Sequence, residues 1–104
     1  MRVRKKLLLS GSLLLVCCAV SQAQDIDGQA ISFSCTTCHG PEGRSIGAVP
    51  SLQGLTREEI ESAFEAFRSG EREATIMKQV ASGFSKEEIA AIAGYFAEQG
   101  KDGH

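Results

Sequence analysis

Two cysteines and a histidine stand within one five-residue segment, Cys35-Thr36-Thr37-Cys38-His39. This C-x-x-C-H spacing brings two thiols and an imidazole onto about one turn of chain, where all three can reach a single flat group. The spacing is typical of covalent haem attachment, in which the thiols add to the porphyrin vinyl groups and the imidazole binds the iron. The motif therefore predicts one covalently bound haem c, attached through Cys35 and Cys38, with His39 as an axial ligand of the iron.

Two other chemistries use a C-x-x-C pair, and the rest of the chain argues against both. A structural zinc site needs four ligands. Beyond the motif, the sequence after residue 23 offers only one more cysteine or histidine, His104, at the far end of the chain. A redox dithiol of the thioredoxin type requires a βαβ pattern around the pair, and no such pattern is found here.

A second axial ligand is expected from the only methionine other than Met1. Met77 follows His39 by 38 positions, which is far enough for the chain to return on the opposite face of the haem. A thioether completes a His/Met site and leaves the iron no open position for substrate, which favours one-electron transfer over catalysis. The alternatives are a gap-filling role for Met77 in the core, its replacement by Lys78 at high pH, and a remote role for His104.

Residues 1–23 have the composition of a secretory signal peptide. Four basic residues stand within positions 2–6, an uncharged apolar stretch covers 7–20, and small residues occupy the two positions that a signal peptidase reads. We therefore expect cleavage after Ala23, a domain that covers residues 24–104, and export to the periplasm. The alternative is an uncleaved anchor, although the apolar stretch is short and interrupted for a membrane span.

Loss of this segment would leave a small acidic domain. Seven basic residues remain against 13 acidic ones, which gives a formal net charge of −6. Such a surface argues against nucleic acid and anionic membranes as partners, and favours a redox protein with a basic face. Only the two motif cysteines remain of four, so a covalent haem, rather than a disulfide, would stabilise a domain of this size.

The elements that position the motif are predicted to be helices. The first is expected over about residues 28–38, with Ile31 or Phe33 facing the core, and it should end at Gly40. Residues 40–55 form a loop with many glycines and two prolines. A loop of this length is uncommon in a compact domain unless it is functional, so we expect it to wrap the face of the haem on which the imidazole lies.

Two capping boxes, at residues 56–59 and 85–88, mark the starts of the second and last helices. A short helix is expected between them, from about Thr75 to Ala81. No stretch alternates with period two over the length of a strand, so the sequence predicts an all-α domain. The apolar side chains that should line the haem pocket or pack helix against helix are Leu52, Ile60, Phe64, Ile76, Val80, Ile92 and Phe96.

The motif at 35–39, the segment from Pro50 to Leu52, Met77 and the last amphipathic helix together resemble class I c-type cytochromes. This resemblance implies the small all-α fold of that class, with three to four helices around one covalently bound haem. It also implies that the Pro50 carbonyl accepts a hydrogen bond from His39, and that Pro50 and Leu52 belong to the haem pocket.

Residues 66–72, 74–77 and 81–89 are similar to the monohaem cytochrome subunit of flavocytochrome c sulfide dehydrogenase. In that family a flavoprotein (FAD) subunit oxidises sulfide and passes electrons singly to the haem subunit. The chain departs from the family pattern at Glu73, where proline is usual, and at Phe84, where tyrosine is usual. The resemblance implies a periplasmic one-electron carrier without a catalytic site of its own, which accepts electrons from such a flavoprotein.

Two other functions stay open from the residues alone. One is a free soluble cytochrome that shuttles electrons to an oxidase or a reaction centre, which would change only the partner. The other is a haem enzyme or ligand sensor with an open distal site, which would require that Met77 does not bind the iron.

Overall fold

The computed structural model describes residue 11 and residues 25–101. The predicted signal peptide (its residue 11 apart) and His104 lie outside the described residues. Between residues 25 and 101 the chain is helical and contains no strand, which confirms the all-α prediction. No helix in this described part is long and apolar enough to cross a membrane. The helices are α1 (Gly28–Ser32), α2 (Thr36–His39), α3 (Arg57–Ser69), α4 (Met77–Ser82) and α5 (Lys86–Gln99).

The predicted first helix is present as α1 and α2, joined by a 3₁₀ turn over Phe33–Cys35. Asp27 caps α1, because its carboxylate accepts hydrogen bonds from the backbone N–H groups of the next turn at 3.0 and 3.2 Å. Of the two side chains expected to face inward, Ile31 packs against the core, whereas Phe33 is 77 % exposed. α2 stops before Gly40, as predicted, and the φ of 85° at this residue favours glycine.

Both predicted capping boxes are present at the starts of α3 and α5. The Thr56 hydroxyl accepts the backbone N–H of Glu59 at 3.1 Å, and the Glu59 carboxylate accepts the backbone N–H of Thr56 at 2.8 Å. Ser85 and Glu88 repeat the arrangement at 3.1 and 3.0 Å. These reciprocal bonds satisfy amides that a helix N-terminus otherwise leaves unpaired, so the sequence alone fixes where both helices begin.

The core forms where α1 and α3 pack against α5, and α4 packs against α3. Four of the side chains predicted to line the pocket or pack between helices are buried in this core, whereas Ile76 is 59 % exposed. α4 begins two residues later than predicted, because Ile76 stands outside it with φ −124°. The buried apolar residues are Ile60, Phe64, Ala81, Ile89, Ile92, Ala93 and Phe96.

The first and last helices meet at Gly28. A Cβ atom at this position would lie 2.5 Å from the Ala91 carbonyl oxygen and 3.4 Å from the Tyr95 Cβ. Only a residue without a side chain therefore allows α1 to approach α5 so closely. This contact fixes the direction in which the chain enters the C-x-x-C-H motif, about two helical turns later.

Candidate haem-binding site

The two motif cysteines differ in their surroundings. Cys35 is half-buried and packs against the core, whereas Cys38, three residues on in α2, is exposed. Burial raises the pKa of the Cys35 thiol above its ordinary value. The Thr36 hydroxyl donates to the Phe33 carbonyl at 2.6 Å and closes the turn that leads into α2. Both thiols thus stand on a short, internally bonded stretch of helix.

His39 is the last residue of α2, and its imidazole is held by the loop that follows. Its Nδ1 donates to the Pro50 carbonyl oxygen over 2.6 Å. A carbonyl oxygen only accepts, so the proton belongs to Nδ1 and the lone pair of Nε2 is left free for a metal ion. The hydrogen bond predicted between His39 and Pro50 is therefore present, although Pro50 itself is exposed.

Hydrogen bonds within the loop bring Pro50 back to the end of α2. The Gly43 carbonyl accepts the backbone N–H of Leu52 at 2.8 Å, and the Ser51 hydroxyl accepts the backbone N–H of Ser45 at 2.9 Å. Leu52, half-buried, packs against the core. The loop is thus closed on itself, and its geometry sets the orientation of the imidazole ring.

Gly43 anchors this loop on α5, a role that the sequence did not reveal. It is buried, has a φ of 76°, and a Cβ atom there would lie 2.7 Å from a ring carbon of Phe96. The density of glycines within residues 40–55 predicts a loop. It does not show which of these glycines contacts the core. Only the tertiary structure separates Gly43 from Gly47, where a Cβ would meet nothing within 4 Å.

Met77 is the first residue of α4, and its half-buried side chain packs against the same core as Cys35 and Leu52. Cys35, Leu52 and Met77 thus pack against one apolar core. His39, in contrast, is held by its hydrogen bond to Pro50. The two predicted axial ligands lie on separate elements, His39 at the end of α2 and Met77 at the start of α4.

The residues present fit a covalently bound haem. Two thiols and an imidazole with a free Nε2 form the donor set of c-type attachment, and a thioether is a soft ligand suited to haem iron. Apolar side chains stand exposed on the segments that carry these groups, as expected where a flat apolar group is to be covered. Their exposed fractions are 77 % for Phe33, 97 % for Ile46, 39 % for Val49 and 59 % for Ile76.

A small all-α domain with a C-x-x-C-H turn and an imidazole locked by a proline carbonyl defines a c-type haem protein. Residues 26–99 match the family model of cytochrome c, and the chain belongs to the cytochrome c family. It is a class I c-type cytochrome, an electron carrier with covalently bound haem c.

Individual relatives agree with this family. The chain is 40 % identical over 86 residues to the cytochrome subunit of sulfide dehydrogenase from Chlorobaculum tepidum, a match that covers 83 % of this chain and 78 % of that protein. It is 37 % identical over 70 residues to cytochrome c-554(548) from Halomonas halodenitrificans, covering 64 % and 84 %. A thiosulfate dehydrogenase electron acceptor from Stutzerimonas stutzeri is 35 % identical over 83 residues, covering 69 % and 38 %.

Proposed function

We propose that the chain is a periplasmic one-electron carrier, exported by residues 1–23, whose haem is attached at Cys35 and Cys38. In this proposal, His39 and Met77 are the residues that would hold the haem iron. The observation that carries the assignment of His39 is the hydrogen bond from its Nδ1 to the Pro50 carbonyl, which keeps the proton on Nδ1 and leaves the Nε2 lone pair free to bind iron.

When bound, haem c supplies an iron that exchanges one electron between Fe(II) and Fe(III). The residues of this chain set the conditions for that exchange. The Pro50 carbonyl keeps the proton on Nδ1 and makes the imidazole of His39 a stronger donor. The thioether of Met77 would be the second protein ligand and, as a soft ligand, would raise the reduction potential.

We further propose that the electron donor is the flavoprotein subunit of a sulfide dehydrogenase. The similarity to the Chlorobaculum tepidum cytochrome subunit supports this partner, because it extends over most of both chains. The excess of acidic residues after position 23 would steer the carrier toward a basic face on that subunit. Mixing the reduced flavoprotein with the ferric carrier should give fast haem reduction that slows as salt is added.

A free soluble carrier is the second candidate. It is supported by the match to the Halomonas halodenitrificans cytochrome, which covers 84 % of that protein. The similarity to an acceptor for thiosulfate dehydrogenase further supports the view that this family serves several donors. Co-purification separates the two candidates: a subunit should elute with a flavin-containing protein, whereas a free carrier should elute alone.

The ligand assignment is tested by the absorption spectrum of the ferric protein. We expect the long-wavelength charge-transfer band of a sulfur–iron bond in the wild type and its loss in Met77→Ala. The matched control is Gln79→Ala, which shortens an exposed side chain on the same helix and should keep the band. A high-spin ferric wild type, whose dithionite-reduced form binds carbon monoxide rapidly, would instead indicate an enzyme or sensor with an open distal site.

A further inference from the structure

The helix that carries Met77 is too short to hold its own position. α4 has six residues, and Ile76 before it supplies no side-chain cap. All six residues from 71 to 76 are exposed. Isolated helices of this length do not form in water, because nucleation costs more than a few hydrogen bonds return. Contacts with other elements must therefore fix α4.

One such contact comes from Arg68, near the end of α3. Its Nη2 donates to the Ala81 carbonyl at 3.0 Å and to the Phe84 carbonyl at 2.7 Å. One guanidinium nitrogen thus joins α3 both to the last turn of α4 and to the turn that follows. The Arg68 side chain is only 31 % exposed, so water competes weakly for these charge-assisted bonds.

The Ala81 carbonyl is one of those that the end of α4 leaves without a partner within the helix. The last four carbonyls of a helix have no amide ahead of them, and a buried carbonyl without a donor is costly. Ala81 is completely buried, so water cannot satisfy its carbonyl easily. The nearby Glu65 carboxylate lies 3.9 Å from Nη1 and is largely exposed, so this ion pair adds little.

Ala81 transmits this restraint to Met77. Ala81 lies four residues after Met77 in the same helix. In an α-helix the backbone N–H of a residue donates to the carbonyl four positions earlier, which here is that of Met77. Both residues contact the same apolar core. A displacement of the Ala81 carbonyl would therefore shift the backbone that carries the thioether.

We propose that Arg68 is a positioning residue that keeps the Met77 thioether on the haem iron. This inference rests on the proposed ligation by Met77. Removal of the guanidinium frees the end of α4, and the population in which the thioether has left the iron increases. An added ligand that binds only that population then binds more tightly in proportion.

Imidazole, a neutral ligand of ferric haem, measures this population. In titrations of the ferric holoprotein, followed by loss of the sulfur–iron charge-transfer band, Arg68→Met should bind imidazole about tenfold more tightly than the wild type. Arg68→Lys should give an intermediate increase of about threefold, because an ammonium group can still reach one of the two carbonyls. Should Arg68→Met yield no holoprotein, Arg68→Lys decides, and a wild-type value for it would overturn the proposal.

Arg57→Met is the matched control. Arg57 also lies on α3, and its Nη1 donates to the Ala90 carbonyl of α5 at 3.3 Å, so the variant likewise loses an arginine–carbonyl bond between helices. We expect both methionine variants to unfold at lower urea concentration, but only Arg68→Met to change imidazole affinity by more than about twofold. Equal effects of the two variants, or none in Arg68→Met, would overturn the proposal. A wild type without the sulfur–iron band would refute Met77 ligation itself.

Discussion

The two sides of the candidate site are built differently. On the His39 side, the imidazole ends a helix, donates to the Pro50 carbonyl and is enclosed by a loop with its own hydrogen bonds. On the Met77 side, the candidate ligand begins a six-residue helix that follows an exposed segment, and Arg68 anchors only its far end. The imidazole is thus oriented by contacts within one loop, whereas the position of the thioether depends on a contact between separate helices.

The largest effect should come from the covalent attachment itself. Cys35→Ser removes the half-buried thiol, and we expect almost no haem-containing protein. We also expect poor folding, because the small core would lose the apolar haem. Thr37→Ser, an exposed change between the two cysteines, should mature normally. The measurement is haem that stays with the polypeptide after extraction with acidified acetone. A well-folded, coloured Cys35→Ser protein would contradict covalent attachment at this residue.

A smaller effect is expected from Gly43, which anchors the loop of the His39 side. Gly43→Ala places a side chain at φ 76° against the Phe96 ring, and should lower the free energy of unfolding by about 2–3 kcal/mol. Gly47→Ala, in the same loop, meets no neighbour within 4 Å and should have little effect. Urea unfolding of the two holoproteins tests this difference. Equal stabilities would mean that the loop is not anchored through Gly43.

The smallest effect should come from the cap of α5, which follows the second carbonyl that Arg68 binds. Ser85→Ala removes the acceptor for the Glu88 amide and should lower stability by about 1 kcal/mol. Ser85→Thr keeps an acceptor oxygen and should recover most of that loss. Thermal unfolding followed by circular dichroism gives the values. If Ser85→Ala also raised imidazole affinity as Arg68→Met does, the restraint on Met77 would extend to the start of α5.

Local signals in the sequence predicted most of the fold. The capping boxes and glycine stops gave the starts and ends of α3 and α5, because caps depend on residues within one turn of each other. The start of α4 was predicted two residues too early. No side chain caps this helix, so no capping box marks its first residue in the sequence. The C-x-x-C-H motif was recognisable because its chemistry lies within five consecutive residues.

The contacts that join elements could not be predicted in the same way. Nothing in the spacing of Arg68 shows that its guanidinium reaches carbonyls 13 and 16 positions later. The choice between Ile31 and Phe33 for the core likewise depends on how α1 crosses α5. Such contacts follow from three-dimensional packing, for which periodicity and capping residues supply no direct signal.

The close crossing of Gly28 and Ala91 has a consequence for how the chain matures. These residues are 63 positions apart, so the first helix gains its packing partner only when nearly the whole chain is available. The surroundings of Cys35 are therefore completed only after the two ends of the domain have met, so a thiol that is half-buried in the folded domain stays exposed in the chain until then.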